Sequence, residues 1–578
     1  MVRPDNILKW CIGEALIVVA LLFILNNYMG YEKKTIKADG QGYYEYLPAL
    51  FIYGDFPCRS DVESQRDYSR INEFGFYLEY KGERINKYPC GTAVLISPFF
   101  CYAHLTAKSS GFANDGFSRP YQNSVFYAAV FYLFLGLVFL RKLLKLYHLH
   151  WGNIFLMQFL IVFATSLVSY VNYDSAFSHV YSFFALTAFL FFVKAYFTHK
   201  QIKYFIWACV FLGLVIILRP VNVIIILFIP FLAGSFENLK AGIVIIFQRK
   251  WALISGLILT SCIVFLQLYL WHYQTGEYLV YSYQGEGFHF LAPAFFKILF
   301  SYQKGLFVYT PITFIALAGC LVLLKKKEFY LFFTWITFFV ILTYVLSSWE
   351  FWTYGGSFGL RAYIDFYAIF FILLGLFIEN VKTWLKLPII MLSLLTVPVC
   401  LIQTKQYKEY ILLWNSMDKY KYWTVFLRRE ERFRGIFWKK IYNFNSQTTK
   451  IIYSASIPDV KIGAHAEKEL YTEYSNNIEG INNANIIQVK LANEFNLEQD
   501  AYTELYLKDT VTGKIYFFNM RPIIHYGNNE YNKFQLGEYN FEFSPVDTAN
   551  VKRIYFKIHT INKEVEIKNI ELNFLSYH

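Results

Sequence analysis

The sequence predicts a polytopic α-helical membrane protein of about eleven spans, followed by a C-terminal all-β sandwich domain. Three observations support this fold class. The 578 residues are 56% hydrophobic and only 17% charged, which is outside the range of ordinary soluble domains. Apolar runs of roughly 20 residues, the length of a helix that crosses a bilayer core, recur along the first 403 residues. After residue 446 the hydrophobic pattern changes to an alternation with a period of two.

The predicted spans share a length of about 17–25 largely apolar residues. They are 8–29, 122–140, 153–171, 178–197, 203–218, 221–236, 251–272, 306–324, 329–348, 361–380 and 386–403. The pair on either side of Arg219-Pro220 fits a short re-entrant hairpin as well as it fits two spans. The first span is predicted to be an uncleaved anchor, because no small-residue cleavage site follows it.

The positions of Lys and Arg predict the orientation of the spans. Basic residues are concentrated in one alternate set of short loops, including 141–145, 194–203 and 240–250. This set faces the cytoplasm under the positive-inside rule, so the N-terminus is expected inside. The first loop, 30–120, and the C-terminal domain are then expected outside the cytoplasmic (inner) membrane of a bacterium. Glu14 falls near the cytoplasmic border, where it is expected to be solvated.

Composition divides the chain into three predicted regions. Residues 1–403 form the membrane domain with its large first outer loop 30–120. Residues 404–445 are charged and aromatic, which predicts an interfacial helical linker. Residues 446–578 contain alternating segments such as 486–491 (IIQVKL) and 503–507 (TELYL), separated by Asn, Gly and Asp, as expected of half-buried strands in an extracytoplasmic sandwich. The sandwich could bind carbohydrate or serve as a structural cap.

Charge and cysteine content exclude two other functional classes. The net charge of +12 is attributed to loops that face anionic lipid, so no nucleic-acid partner is expected. The eight cysteines show no metal-binding spacing. At most one disulfide is expected, among Cys58, Cys90 and Cys101.

Two acidic residues in the predicted outer loops are the first candidates for chemistry. Asp39 lies about ten residues beyond the first span, in the aromatic segment 37–46 (KADGQGYYEY). Asp174 lies in the tight loop 172–179 (NYDSAFSH). Asp39 could act as a general base, or it could share a divalent cation (Mg or Mn) with Asp174, because such cations favour carboxylate oxygen.

Basic and aromatic residues at the predicted outer border complete the candidate site. The candidates for contact with a phosphate are Arg219, His179, Lys304 and Arg361. Arginine grips phosphate in two places and opposes the charge that grows on a leaving phosphate. The candidates for stacking on a sugar are Trp349, Trp352 and Tyr354. Ordinary alternatives remain open: interface anchoring for the tryptophans, snorkelling for the arginines, and capping or packing for His179.

The arrangement of these residues resembles the GT-C superfamily of integral-membrane glycosyltransferases. Members such as protein O-mannosyltransferases and lipid A aminoarabinose transferases use polyprenyl-phosphate-linked sugars. The resemblance rests on topology up to about residue 403, together with Asp39 and Asp174. It implies that Asp39 matches the first-loop acid, Asp174 the second-loop acid of metal-using members, and Arg361 a carrier-phosphate contact. Asp39 is followed by Gly-Gln-Gly, which departs from the pattern of the better-known branches.

The resemblance and the candidate residues together imply an enzyme. The expected activity is hexosyl or pentosyl transfer from a polyprenyl-phosphate donor to an extracytoplasmic acceptor, which could be an envelope glycan, a lipid or a protein. The alternatives are a transporter or flippase, or a polymerase, of lipid-linked glycans. A transporter should show inverted repeats and polar residues at mid-membrane depth. The sequence shows no repeat, and its polar candidates lie at one border.

Overall fold

Long apolar helices dominate the N-terminal part of the chain in the computed structural model. The structure describes residues 4–54, 75–429, 449–484, 486–494, 501–511, 513, 515–522, 534–542, 552–560 and 564–577. All eleven predicted apolar segments are helical over most of their length. The predicted linker residues 430–445, and residues 55–74 of the first loop with Cys58, lie outside the described residues.

Within the described ranges, seven helices are long and apolar enough to cross a membrane. They are Ile12–Met29, Arg119–Lys145, His179–His199, Lys250–Thr275, Phe329–Ser347, Arg361–Asn380 and Thr383–Lys408. An eighth candidate is the pair Pro220–Ala233 and Phe236–Gln248, which is bent by 117°. The other three predicted spans are shorter apolar helices: Trp151–Phe163, Ile202–Leu218 and Pro311–Lys325. The sequence therefore located the apolar helices, but four of them are shorter or more bent than predicted.

Several of these helices change type along their length. The first runs as an α-helix over Pro4–Ile24 and as a π-helix over Leu25–Met29. The chain after Arg219 forms a 3-10 helix, Pro220–Phe228, before the α-helix Ile229–Ala233. The span that begins at Arg361 is likewise a 3-10 helix over Arg361–Phe366 and an α-helix over Tyr367–Asn380. Two membrane segments thus begin with a 3-10 helix, one directly after Arg219 and one at Arg361.

The first loop is largely structured where it is described. Its elements are the helices Asp39–Tyr44, Tyr46–Pro48, Ala49–Tyr53 and Gly91–Ala107, the 3-10 turn Lys108–Ser110, and the antiparallel hairpin of β1 (Tyr77–Tyr80) and β2 (Glu83–Asn86). Other short α-helices are Leu167–Asn172, Phe295–Phe300, Leu306–Tyr309, Pro311–Leu317, Gly319–Lys325 and Lys419–Val425. Gly91–Ala107 packs against Arg119–Lys145, so this part of the loop continues the helical core.

A buried cluster of three polar side chains joins three of the membrane helices. Glu14 is completely buried, and its Oε1 accepts hydrogen bonds from Arg141 Nε at 2.7 Å and Gln158 Nε2 at 2.8 Å. The expectation that Glu14 is solvated was therefore wrong. Because the three residues lie on three different helices, their bonds join segments far apart in sequence.

The chain divides into two units, Met1–Lys405 and Gln406–His578. Described strands of the second unit are β3 (Thr449–Ile457), β4 (Val460–Ile462), β5 (Glu467–Tyr474), β6 (Ile486–Glu494), β7 (Ala501–Asp509), β8 (Ile515–Pro522), β9 (Phe534–Glu542), β10 (Lys552–Thr560) and β11 (Val565–Tyr577). They form one sheet of order β5-β10-β7-β8 and another of order β3-β11-β6-β9, in which β4 also pairs with β11. Alternate residues such as Leu505, Leu507, Ile554 and Phe556 are buried, which confirms the all-β prediction.

Candidate active site

Asp39 begins a short helix that is pressed against the loop containing Asp174. The helix Asp39–Tyr44 follows Ala38, whose positive φ of 48° is a strained conformation for a residue with a Cβ. A Cβ on Gly40 would lie 2.7 Å from the Cβ of Ala176. A Cβ on Gly42 would overlap the ring of Tyr88. The Gly-Gln-Gly sequence after Asp39 therefore permits close approach on two sides of the helix.

Asp39 forms an ion pair with Arg361. The Asp39 Oδ2 and Arg361 Nη2 atoms are 2.6 Å apart, and the side chains are 28% and 13% exposed. Burial opposes ionisation of Asp39, but the charge and hydrogen bond of Arg361 outweigh it, and the pKa of Asp39 is lowered. The guanidinium of Arg361 also lies over the ring of Phe177, 5.3 Å from its centroid. These contacts hold the predicted base and the predicted phosphate ligand together.

Asp174 lies beside this pair, but in a different electrostatic environment. Its side chain is buried, and within the described part of the chain its Oδ2 has no hydrogen-bond partner. Burial raises the pKa of Asp174 to about 6, although the charges of Lys37 and Arg361 oppose the shift. The site therefore holds two carboxyl groups in opposite environments: Asp39 is paired with a cation, and Asp174 is buried, with no hydrogen-bond partner for Oδ2 among the described residues.

A second polar cluster contains His179 and Arg219, together with a carboxylate that the sequence analysis missed. Asp365 is completely buried. Its Oδ1 accepts from His179 Nδ1 at 2.8 Å, and its Oδ2 accepts from Asn222 Nδ2 at 2.7 Å. Arg219 Nη1 lies 3.5 Å from the same Oδ2, and 3.0 and 3.4 Å from His179 Nδ1 and Nε2. The signal for Asp365 was present in the sequence, because an acid inside a predicted span is by default a functional candidate.

Lys304 is held by neutral oxygen atoms. Its ammonium donates to the Gly355 carbonyl and to Ser357 Oγ. Burial, reinforced by the charge of Arg361, lowers the pKa of Lys304 well below its usual value, whereas Asp174 and Asp39 oppose this shift. Lys304 is therefore an electrostatic neighbour of both acids, and its bonds also fix the chain at 355–357.

The three predicted aromatic residues have different surroundings. Tyr354 is an electrostatic neighbour of Arg219 and Arg361, and its hydroxyl donates to the Leu346 carbonyl at 2.9 Å. Trp349 makes edge contacts with Phe288 and Tyr283, at centroid distances of 4.9 and 5.5 Å.

Trp352 is partly buried against the helical core. The structure thus brings Asp39, Asp174, His179, Arg219, Lys304, Arg361 and Tyr354 into one electrostatically coupled region. Trp349 and Trp352 have mainly packing contacts.

The predicted metal ligands at the site are two carboxyl groups, those of Asp39 and Asp174. Among the described residues, no group of three or more His, Cys, Asp or Glu side chains could hold a metal ion. Oδ2 of Asp39 lies 2.6 Å from Nη2 of Arg361, whose positive charge opposes a nearby cation. The assignment of Asp39 and Asp174 as metal ligands remains a prediction.

Comparison with known proteins yields structural similarities only. No protein-family profile matches the sequence, and no characterised protein matches it by sequence. The Archaeoglobus fulgidus oligosaccharyltransferase is 12% identical with a TM-score of 0.38; the match covers 72% of this chain and 57% of that one. ArnT from Cupriavidus metallidurans, bound to undecaprenyl phosphate, is 12% identical with a TM-score of 0.38, over 70% and 68% of the two chains.

The arabinosyltransferase EmbB from Mycobacterium smegmatis is also similar, at 9% identity and a TM-score of 0.36, over 98% of this chain and 64% of that one.

Proposed function

We propose that this protein transfers a sugar from a polyprenyl-phosphate donor to an acceptor hydroxyl group. The observation that carries the proposal is the Asp39–Arg361 ion pair, in which a carboxylate meets a guanidinium, a group suited to binding phosphate. The pair also interacts electrostatically with three further charged groups, those of Asp174, Lys304 and Arg219. A carboxylate and several cations in one place match the needs of a reaction that removes a proton from one oxygen and develops negative charge on another.

The proposed step is a single displacement with inversion. The acceptor oxygen forms a bond to C1 of the sugar, while the bond between C1 and the phosphate oxygen breaks. The carrier phosphate leaves with the bonding electron pair, and the acceptor proton passes to an Asp39 oxygen. As Arg361 turns towards the leaving phosphate, Asp39 loses part of the charge that stabilises its ionised form, which makes it a stronger base.

The position of the cluster favours a reaction at a membrane border. Arg361 and His179 are the first residues of their membrane helices, and Arg219 directly follows the helix Ile202–Leu218. A lipid-linked phosphate lies at this depth while its polyprenyl tail remains in the bilayer. We place this border on the outer side of a bacterial cytoplasmic membrane, as the basic loops predict. The donor sugar, a hexose or a pentose, would then meet a glycan, lipid or protein acceptor.

Transport or polymerisation of lipid-linked glycans is the alternative function. A transporter is expected to place ionisable groups near the membrane midplane, where the substrate crosses. The paired acids and cations here belong instead to helix ends and connecting loops. A polymerase would use the same acid and cations, with a growing glycan as acceptor, and so differs only in the product.

The deciding assay gives purified protein a polyprenyl-phosphate sugar and measures release of the carrier phosphate. We expect wild-type protein to release it and Asp39→Asn to lose about 100-fold or more of the rate at normal abundance. Glu277→Gln, which breaks an exposed ion pair with Lys81, serves as the matched control and should keep full activity. Full activity of Asp39→Asn would remove Asp39 as the base, and donor movement without phosphate release would favour the transporter.

Metal dependence is tested in the same assay. If Asp39 and Asp174 share a divalent cation, chelation should abolish transfer, and Mg²⁺ or Mn²⁺ should restore it. If the arginines alone stabilise the leaving phosphate, the rate should survive chelation.

A further inference from the structure

A buried carboxylate joins the two chain segments that carry the arginines of the proposed site. Asp365 lies on the 3-10 helix Arg361–Phe366, one turn beyond Arg361. Its partner Asn222 lies on the other 3-10 helix, Pro220–Phe228, directly after Arg219. The 2.7 Å bond between Asn222 Nδ2 and Asp365 Oδ2 therefore connects the entrances of two separate membrane segments.

The same carboxylate orients His179 and Arg219. His179 Nδ1 lies 2.8 Å from Asp365 Oδ1, so the carboxylate fixes the orientation of the imidazole ring. Arg219 Nη1 lies 3.0 Å from His179 Nδ1, 3.4 Å from His179 Nε2 and 3.5 Å from Asp365 Oδ2. One terminal nitrogen of the Arg219 guanidinium is thus held against both the imidazole and the carboxylate.

The cluster also reaches the Asp39–Arg361 pair. The ring of Phe177 stacks near His179, with centroids 6.5 Å apart and planes inclined at 22°. The Arg361 guanidinium lies over that same ring. Arg361 is thus positioned by the ring of Phe177 and by its own 3-10 helix. Arg219 is positioned by the carboxylate of Asp365.

From these contacts we infer that Asp365 is a positioning residue that fixes Arg219 and Arg361 relative to each other for binding of the donor phosphate. This inference rests on the function proposed above. Asp365 is itself completely buried, so it acts through Arg219 and His179. A buried ion pair of this kind adds little net stability to a protein. Positioning of the two arginines therefore explains the burial of Asp365 better than stabilisation of the fold does.

The test compares binding of undecaprenyl phosphate with binding of the uncharged alcohol undecaprenol to the full-length protein in detergent. Asp365→Asn keeps the shape of the side chain but removes its charge. It should weaken binding of the phosphate by at least about tenfold and leave binding of the alcohol unchanged. Asn222→Ala, a milder change to the same cluster, should weaken phosphate binding less. Tyr363→Phe removes a buried 2.8 Å hydrogen bond to Thr343 from the same 3-10 helix, and as the matched control it should bind both lipids normally.

A double-mutant cycle separates positioning from general destabilisation. If Asp365 acts through Arg219, the effects of Asp365→Asn and Arg219→Lys on phosphate binding should be clearly less than additive. Additive effects, or equal losses for phosphate and alcohol, would overturn the inference. Phosphate binding by Asp365→Asn that matches Tyr363→Phe would do the same and leave the proposed function intact. If the wild-type protein does not prefer the phosphate over the alcohol, the proposed function itself fails.

Discussion

At the scale of single residues, the carboxyl groups of Asp39 and Asp174 differ in their surroundings. Asp39 has a cation 2.6 Å away, whereas Asp174 is buried and has no hydrogen-bond partner for Oδ2 within the described ranges. Pairs of carboxyl groups whose pKa values are driven apart are typical of acid–base sites. The sequence placed both acids in outer loops. It could not assign their opposite environments, which depend on side chains more than a hundred residues away.

The raised pKa of Asp174 predicts how the stability of the protein depends on pH. Burial raises its pKa in the folded protein from 3.8 to about 6, so the folded state binds more protons than the unfolded state between these values. The contribution of Asp174 to the free energy of unfolding should therefore fall as pH rises from about 4 to about 6, and stay constant above that. The total change is on the order of 3 kcal/mol.

The measurement is the melting temperature in detergent from pH 4 to pH 8, for wild type and Asp174→Asn. Asn cannot ionise, so the variant should gain stability relative to wild type as pH rises through this window. A constant difference between the two proteins at every pH would contradict the raised pKa.

At the scale of elements, the two glycines after Asp39 determine how its helix packs. Gly40→Ala would place a methyl group 2.7 Å from the Cβ of Ala176. Overpacking of this kind costs about 1–3 kcal/mol, and here it would also displace Asp39 from Arg361. We expect Gly40→Ala to lose most transfer activity, and Gly40→Ala with Ala176→Gly to recover part of it.

Gly287 provides the control for this experiment. A Cβ at Gly287 meets no atom within 4 Å, so Gly287→Ala should keep normal activity. If the second substitution at Ala176 gave no recovery, close packing at that residue would not be the reason for the glycine.

The buried Glu14–Arg141 pair is a second feature at this scale, and it joins the first helix to two later ones. Removing one partner leaves an uncompensated charge, which typically costs about 3–5 kcal/mol. Glu14→Leu should therefore strongly lower the melting temperature in detergent. Glu14→Leu with Arg141→Met removes both charges and should recover most of the loss. If the double variant is no more stable than Glu14→Leu, the two side chains do not act as a pair.

At the scale of the whole molecule, the sequence predicted the class of each segment better than its contacts. Apolar length located the helices, and alternation located the sandwich, because both patterns are local. The burial of Glu14 arises from contacts with Arg141 and Gln158, which are distant in sequence. The position of Asp365 inside a predicted span was a signal that the sequence analysis did not use, whereas its contacts with His179 and Asn222 join segments more than a hundred residues apart.

Orientation in the membrane is the last property at this scale, and the site depends on it. The basic loops predict that the N-terminus lies inside and that the connections carrying Asp39, Asp174 and Lys304 face outward. A cysteine introduced at Ser109, on an exposed turn of the first loop, should react with a membrane-impermeant maleimide in intact cells. A cysteine at Lys326, exposed between two membrane helices, should react only after the membrane is opened. Both variants need a background in which native cysteines that react, such as the exposed Cys101, are replaced. Reversed labelling would place the acids in the cytoplasm, where the donor sugar and acceptor of the proposed reaction would have to be sought instead.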